Sequence, residues 1–188
     1  MPTENELKYV LSLDLGKQIY NSKIPLSDPL VIRQGYLHND IGGGVRVRSI
    51  INGTKMLNVK WRVPDRIVEV ETEITTRDFE DLFAQCKERL DKHRYIYSHW
   101  HHDEELIWEI DLFFTNQNGY STLYFVLAEH EMPEGQENPV TIPSLVLEHL
   151  VYAVPREETG EFSSRKLSDP HYASGRYTAL TQKEVGSC

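Results

Sequence analysis

Charged residues recur at every second position in segment after segment of this chain. Glu4, Glu6 and Lys8 begin the series; Arg46 and Arg48, Glu69, Glu71 and Glu73, Lys92 and Arg94, Glu109 and Asp111, and Glu129 and Glu131 continue it. In an extended strand, residues two apart share a face, so each set lines one side of one strand. Apolar residues alternate with them, as with Leu7 and Tyr9, Val45 and Val47, Val68 and Val70, and Ile110 and Leu112. A single strand of this kind is ordinary, with its apolar side in a core and its charges in water. So many, carrying both signs, predict a charged surface that does chemistry. A closed barrel can hold such a surface, with a charged lumen inside and an apolar wall outside covered by helices.

The chain has 188 residues and reads as one domain spanning 1–188. Hydrophobic residues make up 39% and charged residues 26%, which suits an interior that is partly polar. The net charge of −9 argues against nucleic acid as a partner, and an anionic ligand would need locally concentrated basic residues. Cys86 and Cys188 have no metal-ligand spacing, so the expected setting is a reducing, cytoplasmic one without a disulfide. The polar N-terminus is unlike a secretion signal, and no apolar run is long enough to cross a membrane.

The expected elements follow from periodicity and turn residues. Strands are predicted over 4–13, 31–37, 45–50, 56–63, 66–74, 95–100, 106–114 and 122–131. Short helical or loop structure is expected over 14–23. Gly42-Gly43-Gly44 reads as a flexible turn, since no Lys-Ser/Thr follows it as in a phosphate loop. Asn52-Gly53 marks a hairpin. Phe79, Leu82, Phe83, Cys86 and Leu90 predict a helix over 78–90, and a second helix is expected over 144–154 with Ser144 as N-cap. Residues 133–143 read as a loop, and the polar stretch 156–188 as loosely packed.

Acidic residues on converging strands make a site for a hard cation such as Mg²⁺ or Mn²⁺; singly, each pair is more ordinarily a solvated face. Basic residues on several strands, Lys8, Arg46, Arg48, Lys60, Arg62, Arg66, Lys92, Arg94, Arg165 and Lys166, suit a linear polyanion such as a triphosphate. They equally suit cross-strand pairing with the glutamates. His99, His101 and His102 have no accompanying Cys and lie beside Asp103-Glu104-Glu105, which favours a solvated turn over a transition-metal site. Trp61, Trp100 and Trp108 read as core or wall packing.

The ordered series of motifs resembles the CYTH superfamily, the triphosphate tunnel metalloenzymes. Glu4-x-Glu6-x-Lys8 matches its ExExK signature. Gln34-Gly35-Tyr36-Leu37, Val45-Arg46-Val47-Arg48, Asn58-Val59-Lys60, Glu69-Val70-Glu71, Lys92-His93-Arg94-Tyr95, Trp108 to Phe113 and Ala128-Glu129-His130-Glu131 follow in the family's order. The resemblance covers residues 4–131, with Arg165-Lys166 as a looser basic position.

That resemblance implies an α+β fold built on an eight-stranded antiparallel tunnel. It implies that Lys8, Arg46, Arg48, Lys60, Lys92, Arg94 and Arg165 bind the phosphates. It further implies that Glu4, Glu6, Glu71, Asp111, Glu129 and Glu131 hold Mg²⁺ or Mn²⁺, with Glu4, Glu6 and Lys8 closest to the chemistry. The expected activity is hydrolysis of a triphosphate, inorganic tripolyphosphate first. Thiamine triphosphate hydrolysis, adenylyl cyclisation and binding without turnover stand as alternatives, and a homodimer is compatible with such a barrel. The His-rich stretch 98–105 and the region 157–169 depart from the family pattern.

Overall fold

The computed structural model describes residues 5–40, 42–117, 120–133 and 141–185. Nine strands form one sheet: β1 (Glu6–Leu11), β2 (Leu30–Asn39), β3 (Gly43–Ile50), β4 (Lys55–Arg62), β5 (Ile67–Glu73), β6 (Glu88–His101), β7 (Glu104–Gln117), β8 (Tyr120–Glu131) and β9 (Leu150–Val154). Their order is β5-β4-β3-β2-β6-β7-β8-β1-β9, with antiparallel pairings throughout. The α+β class is as expected. The closed eight-stranded barrel is not: among the described residues β5 and β9 are the free edges of an open, nine-stranded sheet.

The extra strand explains part of that difference. The predicted helix over 144–154 ends early. Only Ser144–Glu148 is helical (α3), its N-cap is Pro143 and no side chain caps it. The β-branched, alternating run from Leu150 then pairs with β1 instead. The predicted helix over 78–90 also shortens. Thr75 caps α2 (Thr76–Gln85) by accepting from the Asp78 amide at 3.1 Å, and Leu90 already belongs to β6. Helical spacing of Leu90 with Cys86 is coincidental, because an intervening turn changes the period. Gly43 and Gly44 lie inside β3, whereas Asn52 takes the left-handed φ of 59° that its hairpin turn requires.

The sheet has an apolar face and a charged face. On the apolar face, α1 (Leu13–Tyr20) buries Leu15 and Ile19 against Tyr9, Leu11, Trp108, Ile110, Leu112 and Val126. Gly16 permits this approach, since a Cβ there would sit 2.6 Å from Val126 Cγ2. Farther along, α2 buries Phe79 and Phe83 on Val47 and Leu57.

On the charged face one region is apolar. Val10, Leu90, Phe113, Phe125 and Leu127 are covered by Phe162, Leu167, Ala173 and Leu180. These come from a 3₁₀ segment (Arg156–Phe162), α4 (Ser164–Leu167) and α5 (Pro170–Val185). The C-terminal region is therefore packed, not loose. A bulge in the β7–β8 pairing between Phe113 and Phe114 leaves Tyr124 without a cross-strand partner, and its hydroxyl donates to Leu167 O at 2.7 Å. Polar composition concealed this because a few large apolar residues among many charges suffice to dock short helices.

Candidate functional site

Register places the alternating charges on one face. Lys8 lies opposite Glu129, Arg94 opposite Asp111, Lys60 opposite Glu69, and Arg48 opposite Gln34. Two juxtapositions are electrostatically unfavourable by themselves: Glu6 faces Glu131, and Glu109 faces Glu129. Directly opposed like charges destabilise a sheet unless a cation is shared between them.

Arg94 is shared by Glu109 and Glu129, and Lys8 bridges one member of each pair, Glu6 and Glu129. Lys8, 5% exposed, places its ammonium 2.9 Å from Glu6 and 3.0 Å from Glu129. Burial works against its charge, but Glu129 and Glu6 together outweigh it and hold the ammonium above its ordinary range. Arg94 pairs with Glu109, with Glu129 at 3.2 Å and with both oxygens of Asp111 at 2.7 Å. Burial opposes the charge of Arg94, and Asp111, Glu109 and Glu129 together more than restore it. Burial also raises the Glu109 carboxyl against the pull of Arg94, with Asp111 and Glu129 adding to the rise.

Asp111 and Lys92 form the floor. Both side chains are 0% exposed and meet at 2.5 Å. Lys92 also donates to Ser164 Oγ at 3.2 Å, and its ammonium lies 5.6 Å from the Phe113 ring centre. Burial alone would raise Asp111; Lys92 and Arg94 reverse this and keep it ionised far below the usual carboxylate range. Neither residue reaches solvent, and Asp111 holds the Arg94 guanidinium through two hydrogen bonds.

A second cluster lies on β3, β4 and β5. Arg46 is 3.6 Å and Lys60 3.5 Å from Glu69. Asn58 donates to Glu69 at 2.9 Å and to Glu71 at 2.5 Å. Burial tends to raise Glu69, but the Asn58 bond, Lys60 and Arg46 bring it below its ordinary value. Glu71 thus sits with this basic group, on β5, with four strands between it and β7 in the sheet order.

Between the clusters lies Arg48, whose Nε donates to Gln34 at 2.9 Å. Among the described residues no carboxylate lies within 4.0 Å of it, and the Arg46 Nε is buried without a hydrogen-bond partner. Burial, with Arg46 and Arg94 beside it, pushes the Arg48 pKa down to about 10. Tyr36, buried against the same arginines, is pushed up to about 12 by burial despite them.

The remaining candidates fall at the margins. Arg165 Nε meets Glu88 at 2.8 Å, while Lys166 turns to Glu161. Glu131 is exposed, and Glu4 lies outside the described residues, as does Cys188. Gln34, Tyr36, Asn58, Glu69 and Glu109 join the site without having been singled out as ligands. For Glu109, its two-residue spacing from Asp111 was the available signal. Among the described residues no group of three His, Cys, Asp or Glu is gathered closely enough to hold a metal ready-made. The His101 and His102 rings touch at 4.3 Å across an exposed turn. No helix among the described residues is long and apolar enough to cross a membrane.

No family model and no curated protein matches the sequence. Several solved structures resemble the fold. The crystal structure of the hypothetical protein NE1496 is 21% identical, covers 88% of this chain and 97% of its own, and gives a TM-score of 0.53. The PH1012 protein from Pyrococcus horikoshii OT3 is 17% identical over 71% of this chain and 80% of its own, with a TM-score of 0.46. A conserved hypothetical protein from Pyrococcus furiosus, Pfu-838710-001, is 17% identical over 87% and 90%, also at 0.46. At such identity, the likeness to NE1496 is one of fold and does not extend to activity.

Proposed function

We propose that this chain is a divalent-metal-dependent triphosphate hydrolase acting on inorganic tripolyphosphate. The observation that carries the reading is Arg48: a largely desolvated guanidinium, crowded by Arg46 and Arg94, with no carboxylate among the described residues within ion-pair distance and only the more distant Asp111 to offset them. A net charge of −9 makes that concentration of positive charge more telling. An incoming polyanion would relieve the repulsion and satisfy the buried Arg46 Nε.

In this reading Arg46, Arg48 and Arg94 grip successive phosphates, with Lys60 and Arg165 at the periphery. The donor set on β1 and β8 suits Mg²⁺ or Mn²⁺: its ligands are hard oxygens, and the Lys8 ammonium already bridges Glu6 and Glu129. Glu6, Glu129 and Glu131 would hold the ion, with Glu4 two residues before Glu6 in sequence; an ion held there would neutralise phosphate charge and lower the pKa of attacking water. Asp111 serves by orienting Arg94, and Glu71 by orienting Asn58. Lys8, released from Glu6 and Glu129, turns its ammonium to the phosphate chain. The arginine fork keeps the chain in line and stabilises the charge that spreads over the equatorial oxygens.

Arg48→Ala is expected to lower both affinity for tripolyphosphate and turnover, by roughly 10-fold or more in kcat/KM. Steady-state phosphate release measures this. Unchanged kinetics would place Arg48 outside the site and remove the main support for the reading.

A further inference from the structure

Alternation along β6 sends Lys92 and Arg94 to the charged face and Asp91 and His93 to the other. On that other face Tyr20, the last residue of α1, has its ring centre 5.7 Å from His93 and 5.2 Å from Phe114. The His93 and Phe114 rings themselves meet at 4.7 Å. Beside this aromatic wall is a cavity of about 360 Å³, to which Val31 and Ile51 add aliphatic surface.

Asp91 brings negative charge to the cavity. Register sets it opposite Arg33 on β2 and Phe114 on β7. Arg33 does not pair with it: the guanidinium is 3.2 Å from Glu80 on α2 and 4.7 Å from the Phe83 ring centre. Neutral donors hold Asp91 instead. Ser121 donates to Asn116 at 2.6 Å, and Asn116 donates to one Asp91 oxygen at 2.5 Å. An amide fixes the carboxylate without cancelling its charge, and among the described residues no lysine or arginine lies within ion-pair distance of it. Burial lowers the pKa of His93 against the pull of Asp91, so that ring is uncharged at neutral pH.

We propose that this cavity binds a small organic cation, with an ammonium group on Asp91 and an apolar body against Tyr20, Phe114 and Val31. The lining selects this occupant. A carboxylate without a cation favours positive charge and repels an anion. The rings offer apolar contact, and their faces add attraction for a cation. A hydrated metal ion would gain nothing from the apolar wall, and a neutral aromatic molecule would leave Asp91 uncompensated. The site lies on the opposite side of the sheet from the charged face and does not depend on the triphosphate reading.

The test titrates the isotope-labelled full chain with phenethylammonium, phenethyl alcohol and hydrocinnamate, followed by amide and aromatic chemical shifts. The ammonium probe is expected to shift Tyr20, His93 and Phe114 with a dissociation constant on the order of 1 mM or lower. The alcohol should bind roughly 10-fold more weakly and the carboxylate not detectably. Asp91→Asn should weaken the ammonium probe roughly 10-fold and leave the alcohol unchanged, which also reports that the variant is folded. Tyr20→Ala, at a position 48% exposed, should weaken both. Shifts scattered over other acidic surface, equal affinity for ammonium and alcohol, or an ammonium affinity untouched by either substitution would overturn the proposal. Should Asp91→Asn not fold, the Tyr20 variant and the three probes on the unaltered chain still decide it.

Discussion

Glu129→Gln separates two roles that the site assigns to one carboxylate. Glu129 lies 3.0 Å from Lys8 and 3.2 Å from Arg94, and all three side chains are at most 13% exposed. It thereby occupies cations that the phosphates need. At an effective dielectric of about 20, a unit pair at this separation attracts by about 5 kcal/mol before desolvation. A glutamine keeps the shape and one acceptor, and polar reorganisation absorbs most of the difference. About 1–2 kcal/mol should remain, or roughly 10-fold in affinity. Without metal, the variant is therefore expected to bind tripolyphosphate roughly 10-fold more tightly than the unaltered protein. With Mg²⁺ or Mn²⁺, it should lose nearly all turnover, because one oxygen ligand has lost its charge. Isothermal titration in chelator and phosphate release in metal give the two readouts on one preparation. Weaker or unchanged anion binding in chelator would mean that Lys8 and Arg94 do not face the ligand, and would refute the reasoning.

Asp111→Asn should destabilise the protein by about 3–5 kcal/mol, since Lys92 is fully buried and would lose its compensating charge; denaturant unfolding measures this. Asp111 has a depressed pKa in the folded state, so its stabilisation is complete above the ordinary carboxylate range and is lost as the pH falls through the depressed value. The acid limb of the stability profile should therefore flatten in Asp111→Asn, and an unaltered limb would contradict the pairing. Gly16→Ala should cost about 1–3 kcal/mol, because its Cβ would lie 2.6 Å from Val126 Cγ2 and 2.7 Å from Leu123 Cδ2. A neutral or stabilising result in thermal unfolding would show that α1 can shift without cost.

Much of this arrangement was legible because the side-chain period of a strand is two. Arg94 and Asp111, or Lys8 and Glu129, announce their common face by alternation with buried neighbours, and register then brings them into contact. What alternation does not encode is sheet closure. That depends on which edges meet, and Leu150–Val154 extends the β1 edge with a segment whose apolar run also reads as helix. The division of the charges into two clusters was equally hidden. Glu71 and Glu129 look alike in sequence, yet one is held by Asn58 and the other lies between Lys8 and Arg94. Nor does composition reveal that Phe162 and Leu167 anchor a charged C-terminal region onto the sheet. Trp100 shows the converse: its residue type suggested packing, but its place in the register leaves it bare.

We propose that the charged face hydrolyses a triphosphate. Product analysis of the purified chain with tripolyphosphate and Mg²⁺ or Mn²⁺ tests it most directly. The expected result is orthophosphate release that stops when a chelator is added. Absence of orthophosphate from tripolyphosphate, or release of pyrophosphate with a cyclic nucleotide from ATP alone, would contradict it.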